Sequence, residues 1–408
     1  MKNRRFLVWL GALIVIKAML LVAACTSSQP GSAGADDPQA AVPQLSELDI
    51  ITAEQWKDSY PYVYDSYMKN ADKTSNPSYL TQYPFLVTIY NGMGFAKDYN
   101  EARGHVYTLQ DIKATARAHE TANCLTCKSP AMNALVNAKG TDIYRLPFDD
   151  IYSQLTEPVS CYNCHENKAG ELMVIAGYLK DALGTDIDNV KPGYKVCGQC
   201  HIEYYFDPDT KATTLPWNGV TEMNPDAMLA YYNAIGYFDF TNSISGAKMI
   251  KVQHPEFETV QGAGSLAVTA CRATCVDCHT GTAINDAGKA FTSHVWISPL
   301  ENTNLMETKC KSCHTDLSST IAKIQTETEG RLVTIGQRLA DLHIKIGEAA
   351  KSGATEAQLA ELRSLVRDAQ FYFDFVFVEN SRGAHNSTMT DILLNKSERI
   401  INEAFALL

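Results

Sequence analysis

Cys124-Leu125-Thr126-Cys127-Lys128 sets two thiols three residues apart and an amine directly after the second. Two cysteines at that spacing suit covalent attachment of a haem through its vinyl groups, and the next residue is placed under the iron. Histidine is the usual residue there; here it is lysine. An amine ligates iron only when neutral, so its proton leaves on binding. Four further pairs keep the histidine: Cys161/Cys164/His165, Cys197/Cys200/His201, Cys275/Cys278/His279 and Cys310/Cys313/His314. A chain with histidine at four sites and lysine at one marks that one as different. The expectation is a catalytic iron above Lys128, with its opposite face open to substrate.

Zinc also uses paired cysteines, but it needs two pairs per ion and no histidine directly after each pair. Disulfides between cysteines this close are rare outside redox motifs. Five covalent haems in one chain must lie close together, which passes electrons inward and stores several at once. Electron-transfer haems are usually six-coordinate, so each histidine-ligated iron calls for a second ligand. Six histidines remain for that purpose: His105, His119, His254, His294, His343 and His385.

The elements that must position these groups read as mainly α. Residues 45–315 carry short helices and loops with frequent Gly and Pro, a few short strands, and a core in which haems replace side chains. From Asp316 the pattern changes. Ile321, Ile324, Leu332, Ile335, Leu339, Leu342 and Ile346 recur at helical spacing. Ser352-Gly353 breaks the run, and Leu359, Leu362, Leu365, Val366 and Ala369 resume it. Residues 316–408 are therefore read as long C-terminal helices, a helical hairpin that also carries a distal haem ligand. An apolar stripe of that length packs on its own domain or on a second subunit.

The chain has 408 residues, 45% hydrophobic and 20% charged, with a formal net charge of -11. That balance argues against nucleic-acid binding. Lys2, Arg4 and Arg5 precede an apolar run to Ala24, then Cys25 and a Ser/Gly/Pro-rich stretch. Residues 1–25 read as a lipoprotein signal, or else as an uncleaved anchor, with 26–44 a flexible linker. Lys17 inside the run makes a permanent span expensive. Both readings place the body outside the cytoplasm, tethered to the membrane, where c-type haem is attached.

Beyond the haem motifs, Gly94-Phe95-Ala96-Lys97-Asp98-Tyr99-Asn100, Arg103-Gly104-His105, Cys200-His201-Ile202-Glu203-Tyr204-Tyr205-Phe206 and Lys251-Val252-Gln253-His254-Pro255-Glu256 stand out. Together with the lysine site they resemble the ammonia-forming pentahaem cytochrome c nitrite reductases, over about residues 46–386. The resemblance implies five haem c groups and a calcium ion. It implies six-electron reduction of nitrite to ammonium, a quinol-oxidising membrane cytochrome as donor, and a homodimer. Lys128 would ligate the catalytic haem, with Arg103, Tyr204 and His254 on its open face. Glu203, the carbonyls of Tyr204 and Lys251, and the Gln253 amide oxygen would bind the calcium. His105, His294 and His385 would be the distal ligands of the haems of Cys197/Cys200, Cys161/Cys164 and Cys275/Cys278.

The residues also fit this chemistry in their own right. A small anion needs a local positive field on a net-negative protein, and Arg103 is permanently charged while His254 can carry a proton near neutral pH. Each also has a duller reading: Arg103 as a propionate partner, Tyr204 as a packing aromatic, His254 as a distal ligand elsewhere, Glu203 and Gln253 as a surface pair. Two other functions keep the haems. One reduces hydroxylamine, sulfite or another small oxyanion; the other is a conduit with no chemistry of its own. The chain departs from the family at one place. The family's histidine in a Gly-x-His-Gly segment before the fourth motif is missing from residues 262–271, where Cys271 is the only good iron ligand. Either Cys271 ligates the haem of Cys310/Cys313, or that haem is five-coordinate, or Cys271 is an inert buried thiol.

Overall fold

Helices dominate because most apolar side chains recur at helical spacing. The computed structural model describes residues 44–408; the signal or anchor reading, Cys25 and nearly all of the linker lie outside them. Among the described residues strand is confined to three antiparallel pairs, β1–β2 (Tyr205–Phe206 with Thr213–Thr214), β3–β4 (Phe240–Thr241 with Lys248–Met249) and β5–β6 (Thr282–Ile284 with Ala290–Thr292). Among the described residues no helix is long and apolar enough to cross a membrane.

The short helices are largely the haem motifs and their supports. Cysteines at i and i+3 and a histidine at i+4 share one face of a helical turn. Helix α1 (Pro130–Lys139) follows Lys128 directly, α2 (Cys161–His165) is the second motif, α3 (Pro192–Gly198) leads into the third, α4 (Glu256–Gln261) follows His254, and α5 (Cys275–His279) is the fourth motif. Thr274 caps α5: its hydroxyl accepts from Asp277 N, and its own N–H donates to the Asp277 carboxylate at 2.8 Å.

Three long helices complete the chain: α6 (Leu317–Lys351), α7 (Glu356–Phe377) and α8 (Ser387–Ala406). The apolar stripe of α6 is buried from Leu332 through Ile335, Leu339 and Leu342 to Ile346, while Ile321 and Ile324 are only half covered. Gly353 turns the chain at a φ of +90°, where a side chain would be strained, and Thr355 with Gln358 forms the capping box that starts α7. Helix α8, capped by Asn386, adds a third member to the expected hairpin and packs on both partners.

The core is shared between the haem-bearing segments and these helices. A Cβ at Gly336 of α6 would stand 2.3 Å from the Phe85 ring, so the glycine makes room for it, and Phe85 in turn meets Phe373 of α7 at 6.0 Å. His343 is a second tie. It is fully buried, with Nδ1 2.8 Å from the Ser245 hydroxyl and Nε2 2.9 Å from Gln370 Oε1. Both ring nitrogens are occupied, so His343 is a packing residue.

Burial pushes His343 down to about 4 although Gln370 pulls the other way. The folded protein thus binds this proton less readily than the unfolded chain. The stability from the neutral ring is complete above the ordinary histidine pKa and is lost as pH falls from there towards 4. His343→Leu should cost about 2 kcal/mol at pH 7 by leaving Ser245 and Gln370 unpaired. In denaturant titrations at pH 7 and pH 4.5, the gap between variant and wild type should narrow at the lower pH.

Candidate active site and haem positions

The eleven described cysteines are all free thiols, ten of them in the five motifs, as covalent haem attachment needs. The Cys127 thiol lies against Cys200, and Cys197 against Cys275, so the first, third and fourth motifs stand side by side.

The histidines show which of them suit iron. Two imidazoles sharing one iron need about 6 Å between ring centres, given metal–nitrogen bonds of about 2 Å. His165 faces His294 at 6.2 Å, His201 faces His105 at 6.0 Å, and His279 faces His385 at 6.0 Å. A ligating histidine is normally held through its other nitrogen. Nδ1 of His165 donates to the Glu171 carbonyl at 2.5 Å, that of His279 to Ile297 at 3.0 Å, and that of His294 to Thr292 at 3.0 Å. His385 donates to the Glu379 carboxylate at 2.6 Å, and His201 Nδ1 lies 3.7 Å from Glu256. In each ring Nε2 is left for a metal. Trp296 packs edge-on to His105 at 4.5 Å and fixes that ring. His119 stacks on Phe148 at 4.8 Å with Nε2 3.1 Å from the Thr115 hydroxyl, which leaves it no part in a pair.

Glu256 and Glu379 went unnoticed as supports in the sequence. Burial alone would lower His385, but Glu379 beside it carries it up to about 9. Burial likewise opposes a proton on His201, and Glu256 still raises it.

Two motif sites have no such facing pair. At the first, Lys128 is pinned between a tight turn and α1: its N–H donates to Leu125 O at 3.0 Å, and its carbonyl accepts from the Thr108 hydroxyl at 2.7 Å. The Lys128 charge is felt at His254 and His105. Tyr204 lies within electrostatic reach of Cys127 and Cys124, and burial holds its hydroxyl well above the usual range. His254 keeps an exposed edge and sits 6.1 Å from the His201 ring. Enclosure by protein pushes His254 down to about 4; Glu256 opposes this, while His201, Lys128 and Lys251 reinforce it. The neutral ring is thus favoured at His254.

Arg103 is largely covered, its side chain 16% exposed. Its guanidinium is paired with Asp111 and stacks on Tyr107 at 4.0 Å. A second arginine, Arg117, lies within electrostatic reach of Tyr204 and Cys124, with its guanidinium over the Phe95 ring at 4.1 Å. Burial lowers Arg117, yet a guanidinium stays charged. Both arginines precede Cys124 in an irregular stretch, and only the folded path separates them.

The second site without a facing imidazole is Cys310/Cys313/His314. Here Cys313 is exposed, whereas the other nine motif cysteines are partly covered. The reason is its place in the chain. Cys313 follows a single 3-10 turn (Cys310–Ser312) just before α6, and its neighbours from Lys311 to Asp316, His314 included, are exposed with it. Its thiol is met by the Ser312 hydroxyl at 3.7 Å rather than by a cysteine of another motif. A haem attached through Cys313 would therefore sit at the protein surface. Among the described residues no ring faces His314. A cavity of about 220 Å³ opens there, lined by Met306, Cys310, His314 and Leu317 among others. Cys271 ends a π-helical turn (Ala267–Cys271), is exposed rather than buried, and acts electrostatically on Cys310 and Cys278.

The proposed calcium ligands cluster. Glu203 is fully buried, accepts from the Tyr232 hydroxyl at 2.9 Å and from Gln253 N at 2.6 Å, and burial raises it well above the carboxylate range. The Gln253 side-chain amide lies 2.7 Å from the Lys251 carbonyl. Turned over, it would set Oε1 beside that carbonyl and the Glu203 carboxylate, a hard-oxygen set that suits calcium.

The family described as Cytochrome c552 matches this chain over residues 52–408. Among solved structures, the chain is similar to the catalytic subunit, NrfA, of the cytochrome c nitrite reductase from Desulfovibrio desulfuricans ATCC 27774, described for the relevance of its two calcium sites. Identity is 27%, the TM-score is 0.77, and the match covers 87% of this chain and 85% of that one. Fainter likenesses are to the outer cell wall cytochrome OcwA (20% identity, TM-score 0.40, 73% of this chain and 48% of that) and to an undecahaem cytochrome from the S-layer of Carboxydothermus ferrireducens (16%, 0.37, 74% and 41%). Neither bears on the fold at that level.

The ring pairs carry their own test. In the haem-loaded protein, His294→Ala should bare the iron opposite His165. Optical titration of the reduced variant should then show about one more equivalent of carbon monoxide bound per chain than in wild type.

Proposed function

We propose that this chain, which belongs to the cytochrome c552 family, reduces nitrite to ammonium at a haem held from below by Lys128. What supports the reading is the electrostatic proximity of Lys128 to His254 and of Arg117 to Tyr204 and Cys124, at the one motif that has lysine where the others have histidine. Six electrons are needed, and five c-type haems in contact are a means of collecting them.

When bound, the haem would supply the iron and the electrons. The chain's own groups supply the rest. Arg103, with Arg117 near Tyr204, would hold the anion through fixed positive charge and paired N–H donors. The Tyr204 hydroxyl stays protonated and donates. The neutral His254 ring has one donor and one acceptor nitrogen, so it can pass protons to oxygen as N–O bonds break. Glu203, Gln253 and the carbonyls of Tyr204 and Lys251 would bind calcium, adding positive potential beside the pocket.

The rest of the reading concerns setting. Residues 1–25 would deliver the protein across the membrane and leave it tethered by lipid or anchor, with 26–44 as the linker. A quinol-oxidising membrane cytochrome would supply electrons. Residues 45–315 would form the catalytic part, and 316–408 would mediate dimerisation while contributing His385. Cys271 would be the sixth ligand of the haem at His314 and, as thiolate, would lower its potential.

Two measurements follow. With isotopically labelled nitrite and a reduced dye, the protein should form labelled ammonium and turn over sulfite far more slowly; equal or faster sulfite turnover would move the assignment to that oxyanion. Arg103→Gln and Arg117→Gln should each raise KM for nitrite, by about 100-fold for the one that makes the charged bidentate contact. Separately, the oxidised protein should give a low-spin thiolate-type paramagnetic signal that vanishes in Cys271→Ala; a fully bis-histidine spectrum at the other haems would rule out that ligand.

A further inference from the structure

Lys251 enters the calcium cluster through its carbonyl, but its side chain has no part in that role. Only 2% of the residue is exposed. Its Nζ donates to the carbonyl of Val252 at 2.6 Å and otherwise looks onto aromatic rings: Tyr90 at 5.1 Å, Phe95 at 5.4 Å and Tyr99 at 5.6 Å. Three ring faces stabilise an ammonium and do little for an amine. The backbone fixes the residue in place, with its N–H donating to Asp239 Oδ2 at 2.8 Å and its carbonyl against the Gln253 amide.

Phe95 is the link. The ring that takes Lys251 also takes the Arg117 guanidinium, and the two cations act on each other. Lys251 acts on His254 as well. Burial works against this ammonium, and three carboxyl groups, Asp374, Glu203 and Asp239, attract it in return. Asp374 of α7 is fully buried and accepts from the Tyr90 hydroxyl at 2.7 Å through Oδ1; its Oδ2 has no hydrogen-bond partner, and it attracts Lys251 from a distance. Two cations sharing a ring beside a small pocket are an arrangement that packing alone would not favour.

We propose that the Lys251 ammonium is a second fixed positive charge of the anion pocket, a positioning residue that acts through Phe95 on Arg117 and favours anionic over neutral ligands. The inference rests on the nitrite-binding reading of that pocket. Asp374 sets its strength from the helical bundle, so the charge felt by the ligand depends on α7.

The test uses the haem- and calcium-loaded protein and two classes of probe. Nitrite and azide are bound to the oxidised protein, and carbon monoxide to the reduced protein, each followed optically. Lys251→Met should weaken both anions by about 10-fold and leave carbon monoxide within about twofold, and Lys251→Arg should restore the anions. Equal weakening of all three ligands would mean a structural role, and unchanged anion binding would mean no role; either overturns the proposal. Should Lys251→Met fail to load haem, Asp374→Asn decides. Removing the opposing charge should tighten nitrite by about threefold without moving carbon monoxide, and unchanged or weaker nitrite binding would overturn the proposal. If wild type binds neither anion nor carbon monoxide, the pocket reading itself fails, before any variant is compared.

Discussion

A flat iron-bearing group can be shared by two imidazoles only if both rings are held at a fixed separation with one nitrogen free. The fold meets that constraint three times. In each pair the rings stand 6.0–6.2 Å apart. The rings of the second and fourth motifs and their partners are fixed at Nδ1 by a main-chain carbonyl or by Glu379. Such supports set ring orientation and raise ligand basicity. The short helices and loops of residues 45–315 are placed to keep these distances.

Where the constraint is relaxed, the chain does something else. At Lys128 there is an amine below and a tyrosine, an imidazole and a guanidinium nearby. At His314 there is an exposed motif with Cys313 at the surface, a cavity, and Cys271 within reach. The first is enclosed and rich in positive charge, which suits chemistry on an anion. The second is open to solvent, which suits electron exchange. Between them, contact of Cys127 with Cys200 and of Cys197 with Cys275 runs through the first, third and fourth motifs, and a chain of adjacent haems there would carry charge without large protein motion.

Much of this was legible in the residues. The Cys-x-x-Cys motifs name their own ligands, and the helical period of 332–346 marks a buried stripe. Ser352-Gly353 marks the turn. Other features were hidden for physical reasons. The pairing of Arg103 with Asp111 eight residues on, and the path that lays Arg117 over Phe95, could not be read from an irregular stretch. The exposure of Cys313 was equally hidden, because its motif reads like the other histidine motifs and only its position ahead of α6 sets it at the surface. The role of His343 as a buried tie could not be read from a helix face, because its partners Ser245 and Gln370 come from distant segments. The low proton affinity of His254 follows from enclosure, which sequence does not display.

The most direct test of the account is a titration of the oxidised, haem-loaded protein with nitrite, followed by paramagnetic resonance. A high-spin signal from the Lys128 haem should be present before nitrite and should convert with one equivalent per pocket, leaving the bis-histidine signals unmoved. A protein in which every haem is low-spin at the outset and nitrite changes nothing would contradict the account, because its central iron would then be closed on both faces.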